Sequence, residues 1–86
     1  MQNLRMFEVK YLGATDKRGA RVRITDTRNK KSVLLKKHYD FDLAIDQAIH
    51  YLTSLGIKLE HRAWNEINGK DYLLTNDFST QLKKEV

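Results

Sequence analysis

The chain has 86 residues, no cysteine, and 16 Lys/Arg against 11 Asp/Glu, for a formal charge of +5. That length holds one domain with a thin core, and the lack of cysteine excludes disulfides, thiolate chemistry and cysteine-based zinc sites. No run reaches the roughly 20 apolar residues of a membrane span, and Met1 to Arg5 lack the apolar stretch of a secretory leader, so a cytoplasmic protein with no membrane partner is expected.

Phe7-Glu8-Val9-Lys10-Tyr11 alternates apolar and polar residues, which predicts a strand with Phe7, Val9 and Tyr11 facing the core. Gly13 to Gly19 reads as a charged loop. It lacks the Gly-Lys-Ser/Thr ending and the following helix of a phosphate loop. Ala20 to Thr25 is a second strand, with Ala20, Val22 and Ile24 on one side and Arg21, Arg23 and Thr25 on the other. A polar turn from Asp26 to Lys31 leads to a third strand, Ser32 to Lys37. Connections this short make the three an antiparallel meander.

Asp40 or Asp42 is placed as the N-cap of a helix. Its apolar stripe is Phe41, Ala44, Ile45, Ala48, Ile49, Leu52 and Leu55, and Asp42, Asp46, Gln47, His50 and Thr53 take the wet side. Gly56 supplies the left-handed residue that ends the helix, followed by the apolar Ile57. A fourth strand over residues 57–67 carries Leu59 and Ala63 on one face and Trp64, packed against Leu73, on the other. Asn68-Gly69 predicts a two-residue hairpin turn that sets Ile67 against Lys70, Asn65 against Tyr72 and Ala63 against Leu74. Tyr72 to Thr75 is the fifth strand, and a polar tail begins at about residue 79. The expected fold is a single α+β domain over residues 1–86: an antiparallel sheet of about five strands in the order β-β-β-α-β-β, with one amphipathic helix packed on one face.

Charge divides the chain. Residues 1–38 hold eleven Lys/Arg against three acids, net +8, whereas residues 39–86 are net −3. Such asymmetry points to a polyanionic partner; a solvated basic surface would look the same in sequence. Strand alternation sends Lys10, Arg21, Arg23 and Lys36 to the sheet face away from the helix. Lys17 and Arg18 lie in one flanking loop and Arg28, Lys30 and Lys31 in the other. A cationic sheet face rimmed by basic loops fits phosphate binding, and a β-ribbon can enter a major groove. Arg21 and Arg23 are the candidate base readers, since a guanidinium can bind guanine bidentately. The loop cations would hold the backbone. With Tyr11 assigned to the core, no aromatic cluster faces outward, which favours a duplex over stacked single strands.

The histidines His38, His50 and His61 show no ligand spacing, so neither a metal nor a cofactor is expected. His38 borders the basic segment and is the one candidate for a small nuclease; no second feature supports catalysis, and the chain reads as a non-enzyme.

Lys10-Tyr11-Leu12-Gly13-Ala14-Thr15-Asp16-Lys17-Arg18-Gly19-Ala20-Arg21 resembles the opening of a group of small uncharacterised proteins of bacterial phages, plasmids and integrated elements. Those proteins share a Tyr-x-Gly-x-Thr segment followed by Arg-Gly-x-Arg. The likeness continues through Ser54-Leu55-Gly56 and Gly69-Lys70-Asp71-Tyr72-Leu73-Leu74, and departs at Ala14, where the group has proline. It implies a mobile-element accessory role and no particular activity. The functional expectation is therefore a non-catalytic nucleic-acid binder. The alternative is an inhibitor or adaptor module acting on a host protein, and a homodimer is compatible with either.

Overall fold

The alternation in the first third of the chain is realised as three antiparallel strands, β1 (Arg5–Leu12), β2 (Arg21–Asp26) and β3 (Lys31–Lys36). The helix α1 (Ala44–Ser54) follows, then β4 (His61–Asn65) and β5 (Lys70–Thr75). The computed structural model describes residues 3–83; Met1, Gln2 and residues 84–86 at the end of the tail lie outside it. The five strands form one antiparallel sheet in the order β3-β2-β1-β5-β4, an α+β fold. The helix carries the chain from one sheet edge to the other, and the closing hairpin returns to pair β5 with β1.

The core lies between α1 and one sheet face. Phe7, Val9, Val22, Ile24, Val33, Leu35 and Leu73 meet Ile45, Ala48, Tyr51 and Leu52, and Ile57 seals the helix exit. Gly56 has φ +90, and the N–H groups of Gly56 and Ile57 reach back to the carbonyls of Thr53 and Leu52, as expected of a glycine-terminated helix.

Six details differ from the sequence expectation. The helix starts at Ala44, so neither Asp40 nor Asp42 caps it; Leu43 holds the N-cap position without a side-chain bond. The preceding turn is held instead by Lys37 Nζ, which donates to the carbonyls of His38 (2.8 Å) and Phe41 (2.5 Å). Gln47 is buried rather than wet, because its amide satisfies the main chain leaving β3: it donates to the Lys36 carbonyl and accepts from the His38 N–H. Tyr11 keeps core parity but is 54% exposed, and Trp64 is 58% exposed opposite Asp71 rather than packed on Leu73. The fourth strand starts at His61, not Ile57. Its hairpin pairs Asn65 with Lys70 and Ala63 with Tyr72, so the loop has four residues and the register is moved by two.

That loop repeats the one between β2 and β3. Asp26-Thr27-Arg28-Asn29-Lys30-Lys31 and Asn65-Glu66-Ile67-Asn68-Gly69-Lys70 follow one plan. The first side chain accepts a main-chain N–H two residues on (Arg28, Ile67), and its carbonyl accepts the N–H four residues on (Lys30, Gly69). The asparagine at the fourth position accepts from the closing lysine, at 3.0 Å in both. The fifth position is left-handed, with φ 61 at Lys30 and φ 66 at Gly69.

One charged pair is buried within the apolar layer. Arg5 and Asp26 are each 1% exposed. Arg5 Nε and Nη2 both donate to Asp26 Oδ2, at 3.2 and 2.7 Å, and the guanidinium lies 4.7 Å over the Phe7 ring. Arg5 Nη1 donates to the carbonyls of Asp77 (3.1 Å) and Thr80 (2.6 Å), which pins the C-terminal segment across the sheet end. The Asp77 side chain organises that segment. Hydrogen bonds from the Thr80 hydroxyl, and then from the main-chain N–H groups of Ser79 and Thr80, hold its carboxyl well below the ordinary carboxylate range.

Asp26→Asn leaves the Arg5 charge buried without a counter-ion, and a loss of about 3–5 kcal/mol is expected in urea unfolding at neutral pH; a loss below about 1 kcal/mol would show that the pair does not hold the fold. Lys30→Gly relieves a left-handed backbone at a non-glycine residue, and a gain of about 0.5–1 kcal/mol is expected in the same measurement. Unchanged or reduced stability would refute the strain.

Candidate nucleic-acid interface

The sheet face away from α1 is set by strand parity. Phe7, Val9, Val22, Ile24, Val33 and Leu35 point to the core, so Lys10, Arg21, Arg23 and Lys36 emerge opposite. The register makes them direct cross-strand partners: Lys10 faces Arg23 between β1 and β2, and Arg21 faces Lys36 between β2 and β3. Like charges opposed at this spacing destabilise a sheet, and here two such pairs meet at alternate positions of β2, one on each side of it. Among the described residues no carboxylate forms an ion pair with any of the four. Among the described residues none of the four side chains has a hydrogen-bond acceptor, and Arg21 Nε is buried. Leu34, half exposed beside Arg23, is the apolar member of this cluster.

The nine candidate cations separate into two groups. Lys17 and Arg18 lie in the loop after β1, at the Leu12–Arg21 end of the sheet, where the bond from Thr15 N–H to the Arg18 carbonyl (2.7 Å) closes a turn. They extend the cluster of Lys10, Arg21, Arg23 and Lys36. Arg28, Lys30 and Lys31 sit at the opposite end of β2, about 16 Å away at strand rise. Arg28 is occupied there: it donates to the Phe78 carbonyl (2.9 Å), stacks 5.8 Å from the Phe78 ring and lies 3.8 Å from Asp26. Arg5 belongs to the core, and Lys37 to the turn before the helix. Between the two groups the outer face carries the uncharged Thr25 and Ser32, and on β1 and β5 beside them it carries Met6, Tyr72 and Leu74, with Glu8 paired to Lys70 at 3.2 Å. The structure thus places six of the nine cations together and sets three apart.

The helix side of the sheet shows what the sequence reading missed. Helix α1 packs over β1 and β2 and leaves β4 uncovered, so every β4 residue is exposed. Between the helix start and the β4–β5 hairpin runs a groove of about 940 Å³, lined by Tyr11, Tyr39, Phe41, Leu43 and Trp64. Lys10, Lys37, Arg62 and Lys70 also line it, together with Asp42 and Asp71. Alternation alone assigns Tyr11 and Trp64 to a buried face; the signal that could have corrected this is the short helix, too narrow to cover five strands. A second cavity, of about 600 Å³, is bordered by His38 and His50. Among the described residues no cluster of His, Cys, Asp and Glu is placed to hold a metal ion, and no helix is long and apolar enough to cross a membrane.

Comparison with protein-family models, with curated proteins and with solved structures returned no match.

Lys10→Glu replaces a repulsive pair with an attractive one across from Arg23, and a gain of about 0.5 kcal/mol is expected in urea unfolding at low ionic strength. The gain should shrink in 0.5 M salt, roughly where screening reaches contact distances. Equal stability of the two proteins at low salt would mean that the cluster carries no unfavourable charge energy.

Proposed function

We propose that this protein is a non-catalytic nucleic-acid-binding module whose phosphate-binding surface is Lys10, Arg21, Arg23 and Lys36, extended by Lys17 and Arg18. One observation carries the reading: two like-charge pairs face each other across neighbouring strands, and among the described residues no carboxylate pairs with them. Such an arrangement costs folding energy and is relieved by a polyanion. Arg28, with its side chain engaged by Phe78 and Asp26, is not part of this surface, and Lys30 and Lys31 are secondary. The resemblance of the segment from Tyr11 to Arg21 supports an accessory role in a mobile element, with the cytoplasm as the site of action. A protein partner is the second reading, favoured by the exposed edge strand β4 and by Ile67, 97% exposed at its hairpin tip.

Labelled duplex DNA and RNA should bind with an affinity that falls steeply with salt, at a slope of about −5 in log–log form if six cations engage phosphates. The double variant Arg21→Ala, Arg23→Ala should flatten that slope by about 2 without lowering the unfolding midpoint. Retardation that is absent, or insensitive to salt, would refute the proposal. A single stoichiometric protein captured from a nuclease-treated lysate would then support the second reading.

A further inference from the structure

We infer that β4 is a self-association edge: two copies of this chain pair their β4 strands antiparallel about a two-fold axis at Ala63, and Arg62 of each copy lies against the partner's Trp64. The pairing is independent of the nucleic-acid reading, and it takes the edge that another protein would otherwise use.

The two edges of the sheet are not alike. β3 carries a lysine at each end, Lys31 and Lys36, which discourages a second strand from pairing there. β4 has neither lysine nor proline, and all five of its residues are exposed. Among the described residues it pairs with β5 alone, and the helix stops short of it over β1 and β2. Its outer row of main-chain N–H and C=O groups is therefore open to another strand.

The residue pattern fits a second copy of the same strand. In a two-fold pair every contact occurs twice, so the strand must complement its own reverse. His61-Arg62-Ala63-Trp64-Asn65 does so about Ala63. The whole strand then pairs. Arg62 meets the partner's Trp64 on the helix side, and His61 meets the partner's Asn65 on the outer face. Only the small Ala63 meets itself. An axis at Arg62 would oppose two guanidinium groups, and an axis at Trp64 would pair only residues 63–65 before the hairpin loop begins.

Three groups on the helix side gain from this pairing. Trp64 is 58% exposed and the Arg62 side chain 51%. Asp71, opposite Trp64 in the same row, has its Oδ1 buried without a hydrogen-bond donor among the described residues. Arg62 Nη2 stands 3.6 Å from that oxygen, too far for a hydrogen bond. The partner's indole covers the open side of the guanidinium in a cation–π contact and excludes water from the Arg62–Asp71 pair, which strengthens it. Arg62 is thereby held between its own carboxylate and the partner's ring.

Sedimentation equilibrium of the full chain reads the association, in about 0.15 M salt so that the net charge of +5 is screened beyond roughly 8 Å. A monomer–dimer equilibrium is expected. The emission of Trp64, the only tryptophan, should shift to the blue as the dimer fills. Arg62→Glu removes two cation–π contacts per dimer and should weaken association roughly tenfold or more. The chain has no cysteine, so Ala63→Cys introduces the only thiol, and mild oxidation should link it across the axis as a disulfide dimer. Ser32→Cys, exposed on the β3 edge, should stay monomeric under the same oxidation. A single protomer mass up to roughly 1 mM overturns the pairing. So does a dimer that forms equally well in Arg62→Glu, or one that leaves the Trp64 emission unshifted. Disulfide formation as fast in Ser32→Cys as in Ala63→Cys overturns it as well.

Discussion

The buried ion pair of Arg5 and Asp26 is the constraint on which the rest of the structure depends. A single carboxylate serves two neighbours: Oδ2 receives the guanidinium of β1, and Oδ1 receives the Arg28 N–H that starts the hairpin to β3. Arg5 in turn reaches two carbonyls of the C-terminal segment. Three parts of the chain distant in sequence therefore meet at one charge-assisted network. Burying two charges is costly unless every remaining hydrogen-bonding group finds a partner, and here the tail supplies the acceptors. The segment 76–83 is thus structural: Tyr51 and Leu82 continue the docking, through the bond between the Tyr51 hydroxyl and the Lys83 main chain and through apolar contact with the core.

This pair also changes what the basic half of the chain means. Arg5 is withdrawn from the surface, Arg28 is engaged with Phe78 and Asp26, and Lys37 braces a turn. What remains is smaller and more concentrated than a net charge of +8 suggests. Its defining feature is opposition of like charges in register, which is a sharper signal than charge count, because long basic side chains scattered over a sheet face cost little.

A second consequence follows from the size of the helix. Eleven residues rise about 16 Å, enough to cover β1 and β2 but not the far edge of a five-stranded sheet. Residues of core parity on β4 and at the end of β1 are left without a covering layer. The same geometry that thins the core therefore opens an aromatic groove on the helix side of the sheet, opposite the face that carries the cationic cluster.

Local sequence alone determined the elements. Period-2 alternation placed β1, β2 and β3, helical spacing with Gly56 placed α1, and parity sent Lys10, Arg21, Arg23 and Lys36 to a shared face. Each is a property of a short segment, set by backbone sterics and by which side of an element is apolar. The strand order, with β5 inserted beside β1, was decided only by the tertiary structure. So were the burial of Arg5, Asp26 and Gln47, the two-residue move of the second hairpin and the exposure of Tyr11 and Trp64. These depend on which groups meet across long separations: a charge can be buried only where its counter-ion arrives, and an aromatic residue of core parity is covered only where another layer reaches it. The repeated Asx-x-x-Asn plan of the two hairpins was present in the sequence, but the Asn-Gly dipeptide pointed to a shorter turn. The capping bonds of Asn65, visible only once both strands are paired, decided between them.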